Sequence, residues 1–160
     1  MYVKQNRQDV DDLLKFYQLI KFLFGGKFMN DDFVFKKIDC YSMPVPDLDN
    51  GISFYKNLGH KILWRDGNNS AGLSLPDSDA EIVLHTDKRP YETCLLVESV
   101  DSAIDRIVQN GGKLIFGPIQ IKVGKYALLN DPWNNPLPIL DFSNGKLLTD
   151  SNGNVIGNEK

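Results

Sequence analysis

The amino-acid sequence predicts an α+β fold in which an N-terminal helix is followed by two tandem βαβββ modules. Two observations support this prediction: the order of one strand, one helix and three strands occurs twice, and the two copies align without gaps at an offset of 52 residues. Identical residues at that offset include the pairs Gly59 with Gly111 and Lys61 with Lys113. Because the identities fall in the same predicted elements, we interpret the chain as an internal duplication.

The first module is assigned to residues 33–88. The segment "FVFKKIDCYSM" is rich in β-branched and aromatic residues, which predicts a strand. Pro46 and Asp47 mark the start of a helix, and Gly59 marks its end. The segments "HKILWR", "AGLSL" and "AEIVLHT" predict three short strands, because the turn-forming segments "DGNNS" and "PDSD" separate them.

The second module is assigned to residues 89–143 and repeats that order. Residues 91–97 are its first predicted strand, and Val100, Ile104 and Val108 lie on one face of a predicted helix that "NGG" ends. Three further strands are predicted in "KLIFGPIQI", "GKYALLN" and "PLPILDF". Residues 144–160 are polar and rich in glycine and asparagine, which predicts a frayed C-terminal tail.

Residues 1–32 are assigned to an N-terminal helical extension. Apolar residues such as Leu13, Tyr17 and Ile20 recur at helical spacing, so we expect residues 9–24 to form an amphipathic helix that packs on the domain or on a partner subunit. An alternative hypothesis is that translation starts at Met29, because the codons for the preceding Gly-Gly-Lys-Phe can resemble a ribosome-binding sequence.

Composition argues against several classes of partner. A formal net charge of −3 indicates no basic surface for nucleic acid. No apolar run approaches the roughly 20 residues that a membrane-spanning helix needs, so no membrane partner is expected. Two cysteines are too few for a disulfide scaffold, which favours a reducing, cytoplasmic location.

Segments spanning about residues 35–143 resemble the vicinal oxygen chelate superfamily, which contains glyoxalases, bleomycin-resistance proteins and extradiol dioxygenases. The resemblance rests on "IDCYSMPVPDLDNGISFYKNLGHKILW", "AEIVLHTD", "VDSAIDRIVQNGGKLIFGP" and "LLNDPWNNPLPILDF". It implies that the two modules form a curved, partly closed mixed sheet around a cleft, the glyoxalase-like fold. It does not define one activity, because this fold hosts many chemistries.

Metal-dependent members of the superfamily bind a divalent ion through the first and last strand of each module. By resemblance, these four positions are Cys40, Val83, Glu92 and Pro138 here. Val83 and Pro138 have no side-chain donor, and the oxygen and imidazole coordination of Mg, Mn, Ni or Fe needs more than a lone carboxylate. We therefore predict no cofactor and no metal. A shifted strand register leaves one alternative, the three-ligand set Cys40, His85 and Glu92.

Glu92 is the candidate catalytic residue, as a general base that removes a proton next to a carbonyl group. The alternative is a solvated carboxylate at a strand end, paired with Arg89 or Lys88. Cys40 and Cys94 are candidates for ligand contact, although a free cysteine is commonly a small buried apolar residue. A disulfide between them is not expected in a reducing compartment.

His85, Trp64 and Arg65 are the remaining candidates for ligand contact. His85 closes a predicted strand, where a structural histidine held by hydrogen bonds is the alternative. Because side chains alternate across a strand, one of Trp64 and Arg65 is expected to face the cleft. At such a position these side chains would stack on or clamp a planar or anionic ligand.

The first functional hypothesis is a protein of the bleomycin-resistance type, which binds a small molecule in the cleft without the usual divalent metal. The alternative is a glyoxalase-like lyase, isomerase or dioxygenase that uses a divergent metal site or Glu92 as a base. A third class is a non-catalytic partner subunit, for which a collapsed cleft is expected. Short members of the superfamily commonly dimerise, so we also expect a homodimer.

Overall fold

The computed structural model describes residues 33–159, so the predicted helix over residues 9–24 and the hypothesis of a start at Met29 lie outside the described residues. In chain order the elements are β1 (Phe35–Pro44), α1 (Leu48–Asn57), β2 (Ile62–Asp66), β3 (Ser70–Ser74), β4 (Glu81–His85), β5 (Glu92–Val97), α2 (Val100–Gln109), β6 (Lys113–Ile121), β7 (Gly124–Asn130), β8 (Pro136–Leu140), β9 (Lys146–Thr149) and β10 (Val155–Glu159). Within this range, neither helix is long and apolar enough to cross a membrane.

Eight strands form one mixed sheet in the order β2-β3-β4-β1-β5-β8-β7-β6. The first four strands occupy one half, the next four occupy the other, and β1 pairs antiparallel with β5 at the centre. In each half the first strand pairs parallel with the last, β1 with β4 and β5 with β8. This topology confirms the two predicted βαβββ modules. The sheet is not closed, because β2 and β6 are edge strands.

Strand pairing at the centre of the sheet agrees with the repeat at an offset of 52 residues. Cys40 is the partner of Cys94, and Ser42 is the partner of Glu92. At that offset Cys40 corresponds to Glu92 and Ser42 to Cys94, so interchanging the modules exchanges the two pairs. An approximate twofold axis between β1 and β5 therefore brings two thiols, a hydroxyl and a carboxylate to the middle of the sheet.

Both helices pack on one face of the sheet. The Asp47 side chain caps α1 by accepting a hydrogen bond from the Asn50 N–H at 2.8 Å. The first apolar cluster consists of Leu48, Ile52, Ala71, Leu73, Ile82 and Leu84, and the second consists of Val97, Val100, Ala103, Ala127, Leu129 and Ile139. Because side chains alternate along a strand, the intervening residues of β1, β4, β5 and β8 point away from the helices.

The C-terminal segment forms a two-stranded hairpin of β9 and β10 in place of the predicted frayed tail. Asp150 organises its turn, because the carboxylate Oδ1 accepts hydrogen bonds from the N–H groups of Asn152 and Asn154, each at 2.8 Å. The hairpin contacts β2 through the Arg65 N–H, which donates to the Gly153 carbonyl at 2.8 Å. Glycine and asparagine in this segment therefore build a turn.

Candidate functional site

A cavity of about 430 Å³ lies on the face of the sheet that points away from the helices. Both modules and the C-terminal hairpin contribute to its wall. Its apolar lining includes Val83, Ile121, Val123, Leu140, Phe142 and Leu147, and its charged lining consists of Lys37, Asp39, Asp66, Asp79, Glu81, Arg89, Lys122 and Lys146. The volume is within the range of about 300–1,000 Å³ that is typical of small-molecule sites.

A β-bulge directs Asp39 into this cavity. Between Ile38 and Cys40 the pairing advances two residues on β1 and one on β5, so Asp39 is the extra residue. Asp39 and Cys40 consequently both line the cavity, although adjacent strand residues normally face opposite ways. Burial raises the pKa of Asp39, against the opposing effects of the Lys37 charge and a hydrogen bond from the Cys40 thiol. Regular alternation of side chains along β1 would place Asp39 on the face opposite to Cys40, so the sequence pattern does not predict it in the cavity.

Trp64 and Glu81 form a hydrogen-bonded pair in the same wall. The Trp64 indole Nε1–H donates to Glu81 Oε2 at 2.6 Å. Gly72 makes room for both, since a Cβ at that position would lie 2.1 Å from Trp64 Nε1 and 2.7 Å from Glu81 Oε2. Burial raises the pKa of Glu81, the Trp64 hydrogen bond lowers it, and the negative charge of Asp39 raises it further. The wall therefore holds two interacting carboxyl groups.

Arg65 lies outside the cavity lining, in contrast to its assignment as a ligand-binding candidate. Its guanidinium donates to Asp49 of α1 at 2.7 Å, to the Gly67 carbonyl at 2.7 Å and to Asn68 at 3.1 Å. The physical reason is strand alternation, which directs Trp64 to the cavity and Arg65 to the helix side. The expectation that one of the two faces the cleft agrees with the structure.

The two cysteines are neighbours in the cavity wall. Cys40 and Cys94 pair across β1 and β5, both are buried and neither forms a disulfide. The two side chains pack against one another and against Leu140. The hydrogen bond to Cys94, burial and nearby carboxylates all raise the pKa of Cys40. A thiol in this setting is a poor nucleophile, because the reactive species is the thiolate.

Glu92 lies behind the cavity wall, with its side chain only 9% exposed. Its Oε1 accepts a hydrogen bond from the Tyr126 hydroxyl at 3.0 Å. Its Oε2 is buried and has no hydrogen-bond partner among residues 33–159, and Arg89 Nη1 lies 3.9 Å from it. Burial, followed by the negative charge of Glu92, raises the pKa of Tyr126. Tyr126 and Arg89 line the cavity, so they form the surface that a ligand would meet in front of Glu92.

His85 is buried at the end of β4 and does not line the cavity. Its Nδ1 lies 2.9 Å from Asp87 Oδ1, and its Nε2 has no hydrogen-bond partner among the described residues. Glu81, not His85, is the β4 residue opposite Cys40. The four-residue separation from Glu81 to His85 corresponds to about 13 Å along a strand. His85 is therefore remote from the Cys40 position.

The residues at the four implied metal positions do not fit a divalent ion. Strand pairing makes Val83 on β4 equivalent to Pro138 on β8, and neither side chain has a donor atom. Among residues 33–159, no three histidine, cysteine, aspartate or glutamate side chains form a group that could hold a metal ion. The alternative set of Cys40, His85 and Glu92 is therefore not assembled, because His85 lies too far along β4.

The sequence of residues 37–139 matches the family described as the Glyoxalase/Bleomycin resistance protein/Dioxygenase superfamily. Fold and match together define the class of protein, two βαβββ modules around a cleft. The chain belongs to this superfamily. No curated protein sequence matches the chain.

Solved structures share the fold at low sequence identity. Methylmalonyl-CoA epimerase from Mycobacterium tuberculosis is 19% identical with a TM-score of 0.58, and the match covers 71% of this chain and 93% of that one. NAD-dependent benzaldehyde dehydrogenase from Legionella pneumophila is 18% identical with a TM-score of 0.55, and the match covers 65% of this chain and 98% of that one. A variant of homoprotocatechuate 2,3-dioxygenase from Brevibacterium fuscum is 15% identical with a TM-score of 0.52, and the match covers 82% of this chain and 40% of that one. These likenesses concern the fold.

Proposed function

We propose that this protein binds a small molecule in the cleft between its two modules, without a divalent metal at the four strand positions. The main observation in support is the cavity of about 430 Å³, whose wall combines apolar side chains with partly buried carboxyl groups. Apolar lining with a few polar groups is typical of small-molecule sites. Val83 and Pro138 at two of the four positions support binding without metal.

The alternative is a metal-free lyase or isomerase of the glyoxalase type. Glu92 supports it, because Oε2 of a buried carboxylate has no hydrogen-bond partner among the described residues. A base must reach the proton that it removes, so this alternative requires Tyr126 or Arg89 to move aside. Conversion of a bound compound, rather than binding alone, would favour the enzyme.

A non-catalytic partner subunit is less well supported, because a collapsed cleft is expected for that class and a cavity of about 430 Å³ is present. The homodimer stays a prediction. Exposed apolar residues on edge strand β6, namely Leu114, Ile115, Phe116 and Ile119, offer a surface for a second copy.

Filling the cleft tests the proposal. Val83 lines the cavity, so Val83→Phe is expected to weaken small-molecule binding by at least about tenfold. Val108→Phe is the matched control, because Val108 is exposed on α2 outside the cavity lining. A compound library is screened by thermal shift on the wild-type protein, and hits are titrated calorimetrically with and without chelator.

We expect at least one compound whose affinity is unchanged by chelator, retained in Val108→Phe and lost in Val83→Phe. Circular dichroism confirms that both variants are folded. Binding that requires added metal would contradict the proposal, as would hits that bind Val83→Phe as tightly as the wild type.

A further inference from the structure

We propose that the ligand of this cleft carries a cationic nitrogen group, which Asp39 and Glu81 bind beside the indole of Trp64. The inference rests on the proposed function of the same cleft and specifies the chemical class of ligand: an organic monocation with an apolar body.

The two carboxyl groups are directed into the cavity by separate features of the fold. The bulge in β1 directs Asp39, and the space above Gly72 admits Glu81 together with Trp64. Glu81 lies on β4 directly opposite Cys40, the residue that follows Asp39, and both carboxyl groups line the cavity. Two neighbouring carboxyl groups in a partly buried wall favour a cation and disfavour an anion.

The nearby basic side chains already have other partners. Lys37 pairs with Asp79 at 3.6 Å, and Lys122 pairs with Asp66 at 2.8 Å. Neither Asp39 nor Glu81 forms a salt bridge with any residue in the range 33–159. The Lys37 charge stabilises both carboxylates without a salt bridge to either, so a ligand cation would supply a direct charged partner.

Arg89 and Lys146 are the other basic residues of the wall. Arg89 donates to Asp87 at 3.0 Å, which leaves its charge compensated outside the cavity. Lys146, on the hairpin, is then a single cation against the two carboxyl groups of Asp39 and Glu81. Among the charged residues of the wall that form no salt bridge within the described range, the two acidic residues Asp39 and Glu81 therefore outnumber the one basic residue, Lys146.

A second feature independently indicates a polar ligand group. Ser42 lines the cavity, is only 2% exposed, and its hydroxyl has no hydrogen-bond partner in the part of the chain that the structure describes. It lies two residues from Cys40 on the same strand face, opposite Val83. The hydroxyl oxygen is open to the cavity, so a ligand can reach it. The N–H of a bound ammonium group would provide a hydrogen-bond partner.

Trp64 and the apolar side chains of the wall provide further contacts for such a ligand. The face of an indole ring attracts a cation within about 6 Å, most strongly when water is excluded. Val83, Leu140 and Phe142 provide apolar contact for an attached hydrocarbon body. A cationic group with an apolar body therefore matches both parts of the cavity.

Three probes of similar size and shape test the inference: phenethylammonium as the cation, 2-phenylethanol as the neutral analogue and 3-phenylpropanoate as the anion. Binding is followed by the NMR signal of the Trp64 Nε1–H, which Trp133→Phe distinguishes from the one other tryptophan. We expect phenethylammonium to shift this signal saturably and to bind at least about tenfold more tightly than either analogue.

Variants identify the residues responsible. Asp39→Asn and Glu81→Gln each remove a charge with little change of shape, and each is expected to weaken phenethylammonium binding about tenfold. Asp105→Asn is the matched control, because Asp105 is exposed on α2 and does not line the cavity. Dispersion of the amide spectrum confirms that each variant is folded.

The inference is overturned if 2-phenylethanol or 3-phenylpropanoate binds as tightly as phenethylammonium, or if Asp39→Asn and Glu81→Gln bind it like the wild type. Binding of the neutral or anionic probe at Trp64 as tightly as phenethylammonium would overturn the inference while leaving the proposed binding function intact. Absence of any response to all three probes would overturn it as well, and the library screen would then decide separately on the proposed function.

Discussion

Replacement of Asp141 by alanine is expected to lower the free energy of unfolding by about 3–5 kcal/mol. Asp141 is 2% exposed, and its carboxylate accepts hydrogen bonds from the N–H groups of Val100 and Lys125, each at 2.9 Å, and from Ser143 Oγ at 2.7 Å. These bonds join the start of α2, the start of β7 and the chain after β8. Alanine would leave buried donors without an acceptor, which urea unfolding would measure.

Asp105→Ala is the control for this prediction, because Asp105 is exposed on α2 and should change stability little. Burial would raise the pKa of Asp141, but the hydrogen bonds from Val100, Ser143 and Lys125 outweigh burial and lower it. A group whose pKa is lowered on folding stabilises the protein above its unfolded pKa, and that contribution is lost as the pH falls through the folded pKa.

Below about pH 4, wild-type stability should therefore fall more steeply than that of Asp141→Asn. Parallel pH profiles for the two proteins, or an alanine variant as stable as Asp105→Ala, would show that this carboxylate does not hold the second module together.

Gly72→Ala is expected to have the second largest effect, on binding and stability together. The new methyl carbon would lie 2.1 Å from Trp64 Nε1 and 2.7 Å from Glu81 Oε2, so we expect both side chains to shift and their hydrogen bond to be lost. Overpacking of this kind costs about 1–3 kcal/mol. Unfolding by urea would measure that loss, and titration with phenethylammonium should show binding weakened at least about tenfold.

Gly157→Ala provides the matched control, because a Cβ on Gly157 of β10 would meet nothing within 4 Å. It should bind and unfold like the wild type. If Gly72→Ala does the same, then Gly72 does not determine the position of Trp64, and the Trp64–Glu81 pair is less constrained than its geometry indicates.

The repeat could be predicted from sequence because it depends on local patterns. Alternating strands and the glycines that end each helix, such as Gly59 and Gly111, give the two modules directly. The pairing of Cys40 with Cys94 and of Ser42 with Glu92 then agrees with the predicted offset. Strand alternation also predicted that only one of two adjacent residues in β2 would face the cleft.

The parts of the site that escaped prediction depend on contacts between distant residues or on departures from regular strands. Asp39 enters the cavity only because of a bulge, which no alternating pattern indicates. Glu92 is separated from the cavity surface by Tyr126, which lies 34 residues away in sequence. The sequence predicts a tail where the hairpin forms, because the glycines and asparagines that build the Asp150 turn are also typical of disordered segments.

Elemental analysis of untagged protein tests the central claim of a cleft that binds its ligand without metal. The protein is purified without chelator, offered nickel, zinc, manganese and iron in turn, and desalted before measurement. We predict no stoichiometric metal and no thermal stabilisation by any of the four ions. One tightly bound ion per chain, removed by chelator with loss of small-molecule binding, would contradict the account and would require ligands other than Val83 and Pro138.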